Sequence, residues 1–238
     1  MIENYDYHKH PNPGNISLEY LFEHSSNVGS ANIALMLDKN EYYSKLRDFG
    51  FGQKTGIDLT AESTGLLPKP MHWYKSRQAS MGYGYGASVT AIQMISAVSA
   101  VANNGVWVTP HVMKYSEEEL PLHVTSKQVL SEQTAKTVTR LLAKSISNGK
   151  TPLNLDKYTV AAKTGTSRKP ADNGRGFSKQ VYTSAVGFFP ATNPQIAIYI
   201  VVDSPKTGAD WGNTIASPLF REIAIEVGKL LNIQSDKV

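Results

Sequence analysis

Along the first third of the chain apolar residues recur at helical intervals. Ser17 can cap a short helix with Leu18, Leu21 and Phe22 on one face, and Val28, Ala31, Ile33, Ala34 and Leu35 predict a second helix directly after it. The stretch "HSSN", residues 24 to 27, therefore falls at a junction between two helices. Residues 49 to 70 are rich in Gly and Pro and read as an irregular excursion. From Ala87 to Asn104 the chain is apolar nearly all round, crossed by a narrow stripe of Thr90, Gln93, Ser96 and Ser99, and it stops at Gly105. That pattern predicts a buried helix ended by a glycine.

Ser131 opens an amphipathic helix with Ala135, Val138, Leu141, Leu142 and Ile146 on one side, and then the period changes from helical to extended. Tyr158 to Thr166, Val181 to Phe189 and Gln195 to Asp203 are short runs rich in β-branched and aromatic residues, as successive strands of a meander are. The chain closes on "SPLFREIAIEVGKLL", read as a helix with Ser217 as cap, Pro218 at its first position and Leu219, Phe220, Ile223, Val227, Leu230 and Leu231 on one face. Several helices, three consecutive strands and a closing helix predict an antiparallel sheet flanked by helices, an α/β protein of α+β type, with residues 1–238 as a single unit.

Composition narrows the function more than the fold. The 24 Lys and Arg against 20 Asp and Glu leave a net charge of +4 with no basic run, which argues against nucleic acid as a partner. The longest apolar run, Ile196 to Val202, is far short of the ~20 residues that span a bilayer. The absence of cysteine excludes disulfides, thiolate metal sites and a cysteine nucleophile. The 6 histidines show no ligand spacing, His8 and His10 lying in a segment read as loop, so neither a metal nor a cofactor is expected.

One lysine stands out. In "AAKTGTS", residues 161 to 167, Lys163 ends a strand and is followed by Thr164, Gly165 and Thr166. A cation, two hydroxyls and a glycine that lets a ligand approach the backbone make a receptor for a carboxylate or a developing oxyanion. The tripeptide alone also suits an ordinary turn, and it recurs at Lys54 to Gly56 and at Lys206 to Gly208. In "SSNVG", Ser25 and Asn27 lie two apart, as a helix cap or as a catalytic pair.

An SxN early, a long helical stretch, and a KTG on a strand followed by two more strands and a helix match the motif order of serine acyltransferases of the penicillin-binding kind. "SSNVGSANIAL", "FGFGQKTGIDLTAESTG", "MGYGYGASVTAIQMISAVSAVANNG" and "AAKTGTSRK" resemble the transpeptidase domain of class B penicillin-binding proteins, the peptidoglycan D,D-transpeptidases, most of all the cell-division type. The resemblance covers nearly the whole chain and implies the fold shared by penicillin-binding proteins and β-lactamases. It gives the KTG role to Lys163 to Gly165 and leaves the other two copies as turns. It further implies that Ser25 relays a proton to the leaving amine and that Asn27 holds the peptide amide. Lys163 then supplies positive potential, while Thr164 and Thr166 bind the terminal carboxylate of a D-Ala-D-Ala stem peptide or of a β-lactam. The amide of Thr166 forms half of an oxyanion hole, and Tyr83 and Gly84 of "GYGYG" border the cleft.

The family's nucleophile is missing from this stretch of sequence. Its SxxK motif opens a helix some fifty residues before SxN, whereas here 24 residues precede Ser25. The only SxxK, "SNGK" at 147 to 150, follows SxN and reads as the end of a helix. The expectation is a partial transpeptidase domain lacking its N-terminal part and inactive alone, with an apolar face left open where that part would pack. Three alternatives stand beside it: a non-catalytic module binding a peptide or a partner such as a divisome protein, a half-enzyme complemented by a separate N-terminal chain, and a β-lactamase, for which no water-activating base is identified. The resemblance implies a parent enzyme anchored in the cytoplasmic membrane with this domain on its outer face; the location of this chain itself stays open.

Overall fold

In the computed structural model, which describes residues 2–4, 14–171, 176–206 and 211–237, Ser17 caps the first helix as read: its Oγ accepts the N–H of Tyr20 at 3.1 Å. Helix α1, Leu18–His24, gives way at Ser25 to α2, Asn27–Met36. A third helix, α3, Lys39–Asp48, had no apolar stripe to announce it; Asp38 starts it by accepting the N–H groups of Asn40 and Glu41. The Gly- and Pro-rich stretch is irregular, as expected, up to a 3-10 turn at Pro70–His72, and α4, Lys75–Met81, follows. Helix α5, Ala91–Ala102, starts later than its apolar pattern suggests, because Thr90 and Gln93 form a reciprocal capping box. It ends at Ala102 with Asn103 as cap and Asn104 left-handed at φ 52. Gly105, read as the stop, follows at φ +85, donates its N–H to the carbonyl of Ala100 at 2.8 Å, and has no room for a Cβ beside the carbonyl of Leu130.

Two short strands, β1, Val106–Val108, and β2, Ser126–Gln128, pair antiparallel, with a four-residue helix α6, Leu120–His123, between them in the chain. Helix α7, Glu132–Asn148, begins after Ser131, whose Oγ accepts the N–H of Thr134. The chain divides within α7 into two compact units, Met1–Lys136 and Thr137–Val238.

The second unit is built on the predicted meander, except that its first strand starts at Ala161 and not at Tyr158, so Lys163 lies near the beginning of that strand and does not end it. Strands β3, Ala161–Pro170, β4, Phe177–Phe189, and β5, Ile196–Asp203, run antiparallel in that order. On one face Ala162, Thr164 and Thr166 stand opposite Gly187, Ala185 and Thr183, and α8, Gly212–Leu230, packs against this sheet. The core between them holds Val160, Ala162, Ala185, Phe189, Phe220 and Ala224, all buried.

Two readings of the closing helix are corrected. It starts at Gly212 rather than at Ser217, so Pro218 lies inside it, and the Ser217 hydroxyl donates to the carbonyl of Gly212 at 3.3 Å instead of capping. Its core face is made of small residues around one large one: Gly212, Ala216, Phe220, Ala224 and Gly228. Small residues let the helix approach the sheet closely, and of the expected apolar face Leu219, Ile223 and Leu230 are exposed by 42%, 41% and 78%.

Candidate active site

Three consecutive residues at the α1–α2 junction do three different things. Ser25 ends α1 in a left-handed conformation, φ 50 and ψ 49, which costs a non-glycine residue about 1 kcal/mol. Its side chain is exposed and has no hydrogen-bond partner among the described residues. Ser26 turns inward, accepts the N–H of Gly29 as the cap of α2, and donates to Asn4 Oδ1 at 3.1 Å. Asn27 opens α2 and donates its side-chain amide to the carbonyl of Glu3 at 3.1 Å. The cap reading of "SSN" thus falls on Ser26, leaving the hydroxyl of Ser25 uncommitted.

The "GYGYG" loop lies on the same helix. A Cβ at Gly82 would meet the carbonyl of Ser30 at 2.5 Å and Ala34 Cβ at 2.8 Å, so the loop packs against α2 about one turn beyond Asn27. Gln78 of α4 fixes this packing by donating to the carbonyls of Ala34 and Leu37. Tyr83 is half-buried, its ring 5.8 Å from that of Tyr85, and Gly84, at φ +97, faces open space.

The other four candidates lie in the second unit, on β3. This is an edge strand among the described residues, so alternate backbone N–H and C=O groups point away from β4 and remain available to a ligand. Lys163 is half-buried, and among the described residues its ammonium donates only to the carbonyl of Thr164, at 3.2 Å. Burial alone pushes its pKa below the ordinary lysine value, since no carboxylate pairs with it among the described residues. The hydroxyl of Thr164 has no partner among the described residues, and Thr166 Oγ1 accepts the N–H of Gly212. At Gly165 a Cβ would crowd the hydroxyl oxygen of Ser184 at 2.7 Å. Gly212 escaped the sequence reading because it stood in what looked like a loop before the helix.

The copy at Lys54 to Gly56 differs in the feature that matters. It wraps the carboxylate of Glu62, which accepts both the N–H and the hydroxyl of Thr55 at 2.6 Å and the N–H of Gly56 at 3.1 Å. Burial raises the Glu62 pKa, but the hydrogen bonds from the Thr55 side chain and from the Thr55 and Gly56 amides outweigh it and the net shift is downward. That tripeptide, read as a turn, is an irregular segment closed on its own acid. Of the third copy Lys206 is exposed, while Thr207 and Gly208 lie outside the described residues, as do His8 and His10. Ser147 of "SNGK" sits in the last turn of α7 and donates to the carbonyl of Lys144, at the end of a helix as read.

The family model for the penicillin binding protein transpeptidase domain matches residues 1–224. The chain is 36% identical over 212 residues to stage V sporulation protein D of Bacillus subtilis, covering 84% of this chain and 32% of that protein. It is 29% identical over 234 residues to the probable peptidoglycan D,D-transpeptidase PenA of Neisseria flavescens, covering 98% of this chain and 56% of that one. It therefore spans about a third to just over half of these relatives. Among solved structures, the transpeptidase domain of penicillin-binding protein 3 from Burkholderia pseudomallei superimposes with a TM-score of 0.86 at 28% identity, covering 95% of this chain and 68% of that one.

Proposed function

Because the chain belongs to the penicillin-binding protein transpeptidase family, we propose that residues 1–238 are the C-terminal part of one D,D-transpeptidase domain of the cell-division type, acting on peptidoglycan stem peptides that end in D-Ala-D-Ala. The match runs through both units, which supports treating them as parts of one domain. The observation that carries the site is the contrast between two tripeptides of identical sequence. At 54–56 a threonine hydroxyl and two amides are spent on Glu62, whereas at 163–165 the lysine has no acid and the Thr164 hydroxyl no partner among the described residues. A half-buried ammonium without a counter-ion is a destabilising arrangement that an incoming carboxylate would relieve.

In this reading Lys163 supplies the positive potential, and the hydroxyls of Thr164 and Thr166 donate to the terminal carboxylate of the peptide or of a β-lactam. The N–H of Thr166 donates to the oxyanion that develops when the scissile carbonyl is attacked. Ser25 passes a proton toward the leaving D-alanine amine. Asn27 holds the peptide amide, for which its side chain exchanges the bond it makes to Glu3. Tyr83 and Gly84 line the approach. These 238 residues contain no SxxK at a helix start, so the acyl-serine step needs a nucleophile from outside them. The parent enzyme acts at the outer face of the cytoplasmic membrane; no helix among the described residues is long and apolar enough to cross one.

Fluorescent penicillin tests this directly. The chain alone should give no band that survives denaturation, and such a band would overturn the assignment of the missing nucleophile. Titration with an acyl-D-alanyl-D-alanine peptide should show saturable binding that Lys163→Ala removes; no binding would overturn the carboxylate pocket.

A second reading, complementation by a separate chain, is favoured by one observation. Among the described residues β5 has no neighbour beyond β4, Val201 on it is 47% exposed, and the Leu219, Ile223 and Leu230 stripe of α8 is uncovered. An open sheet edge beside an apolar helix face suits a docking strand and helix. Co-expression with an N-terminal piece carrying SxxK should restore penicillin labelling, and failure to do so would remove this reading.

A further inference from the structure

The start of α8 lacks the device that usually begins a helix. Trp211 occupies the cap position and makes no side-chain capping bond, so the first N–H groups of a 19-residue helix depend on something else. The first of them, that of Gly212, is taken by Thr166 Oγ1 at 3.0 Å, across 46 residues of sequence. The closeness is steric as well as polar. A Cβ at position 212 would lie 2.5 Å from the carbonyl of Gly165 and 2.6 Å from that of Ser184, so only glycine lets the helix end sit this near β3. Thr166 therefore caps α8 from the sheet.

A hydroxyl has two lone pairs and one proton. With one lone pair held by the Gly212 N–H, the rotor of Thr166 is restricted and its proton points elsewhere, and among the described residues no acceptor takes it. The cross-strand neighbour Thr183 is fully buried and its hydroxyl has no partner among the described residues, so there the network ends at Thr166 and does not run on into the sheet. The positive end of the α8 dipole faces the same spot and favours an anion there.

We propose that Gly212 is a positioning residue: its N–H occupies one lone pair of the Thr166 hydroxyl and holds the proton toward the ligand, which makes the site prefer an ionised carboxylate over a neutral amide. The inference rests on the reading of this strand as a carboxylate pocket, and it adds a residue outside the three motifs that tunes which ligands the pocket accepts.

Two measurements on the isotopically labelled full chain test it. Hydrogen exchange at the Gly212 amide should be about tenfold faster in Thr166→Val than in the parent, with Thr166→Ser keeping the parent rate and the rest of α8 unchanged. Titration with N-acetyl-D-alanyl-D-alanine and with its C-terminal amide should show a preference for the acid. That preference should fall about tenfold in Thr166→Val and in Gly212→Ala, and Thr166→Ser should retain it. A purely structural role for Gly212 would weaken both ligands alike. Unchanged exchange in Thr166→Val, or a Gly212→Ala chain that keeps the acid preference, overturns the inference and leaves the carboxylate pocket standing. An acid that binds no better than the amide in the parent chain overturns the pocket reading, and this inference with it. If Gly212→Ala does not fold, the contrast between Thr166→Val and Thr166→Ser decides.

Discussion

The side-chain amide of Gln93 donates to the backbone carbonyl of Gln53 at 2.7 Å, tying the buried helix α5 to the irregular stretch before it. The same nitrogen donates to the carbonyl of Thr64 at 2.8 Å, and Oε1 accepts the N–H of Thr90 at 3.0 Å. Gln93 is fully buried and joins three backbone groups through one side chain, although Thr64 is exposed and Gln53 and Thr90 are half-buried. Gln93→Leu fills similar volume and satisfies none of them. It should cost about 1–3 kcal/mol, the three bonds being lost together while the exposed and half-buried partners regain water, and urea denaturation of the chain measures it. A loss below about 1 kcal/mol would mean that the loop finds other partners.

Lys163 is a stability cost that a ligand would offset. Its pKa in the folded protein is lowered by burial, whereas in the unfolded chain it titrates near ~10.4. Between those two values the unfolded chain binds more protons, so stability rises with pH; below the folded value the cost is complete, and above ~10.4 it is gone. Lys163→Met removes the charge and keeps the length. The variant should be more stable by about 1 kcal/mol at pH 7, the gap should close as pH rises through the folded value to ~10.4, and affinity for an acyl-D-alanyl-D-alanine peptide should disappear. Parallel stability curves for the two proteins from pH 7 to about 11 would refute the buried-charge account.

What could be read from the sequence was whatever its local chemistry decides. The alternation in β3, β4 and β5 puts Val181, Thr183 and Ala185 inside and Tyr182 outside, and such a pattern names a half-covered sheet before its neighbours are known. Likewise Ser17 and the junction at residues 25 and 26 act through their own or adjacent backbone. Helix α3 was not legible because none of its residues is buried; it is held by Asp38 and by the ion pair of Asp48 with Lys127, a contact across 79 residues. The start of α8 misled because its cap is Thr166, while Ser217 and Pro218 imitate a local cap. Its core face misled because close packing favours Gly and Ala where a hydrophobicity pattern favours Leu and Ile. In the candidate site the residue types were legible, but the commitment of Lys54 to Gly56 to Glu62 was not, since only geometry separates one KTG from another.

Gly187 controls how closely β3 and β4 approach at the lysine. It stands opposite Ala162, next to Lys163, and a Cβ there would lie 2.4 Å from Ala162 Cβ and 2.5 Å from the carbonyl of Ala161. Neither neighbour is a flexible side chain, so the strands themselves must part. Gly187→Ala should destabilise the second unit by about 1–3 kcal/mol, a typical cost of overpacking, and weaken peptide binding by shifting Lys163. Thermal unfolding and the dipeptide titration check the two effects. A stable variant with parent affinity would show that the strand pair has more freedom than these contacts allow.

Asp236 holds the end of the chain against the loop that leads into β3, and its charge makes that hold depend on pH. It accepts the N–H of Thr159 at 2.7 Å, the hydroxyl of Thr159, and the hydroxyl of Thr192 at 2.6 Å. Around it Ser235 donates to the carbonyl of Lys157, and Tyr158 donates to the carbonyl of Ile233. Burial raises the Asp236 pKa, but the bonds from the Thr159 and Thr192 hydroxyls and the Thr159 amide outweigh it and the net value is lowered. A carboxyl whose folded pKa is below its unfolded one, ~3.9, contributes stability that is complete above the unfolded value and is lost as pH falls through the folded one. Asp236→Asn keeps the shape, loses the charge and turns one acceptor into a donor facing hydroxyl and amide donors. The variant should lose about 1–3 kcal/mol at pH 7, and its stability should decline less steeply than the parent's between about pH 5 and 2. Urea midpoints at pH 7, 5, 4 and 3 for both chains measure this, and a constant gap at every pH would show that Asp236 acts by shape and not by charge.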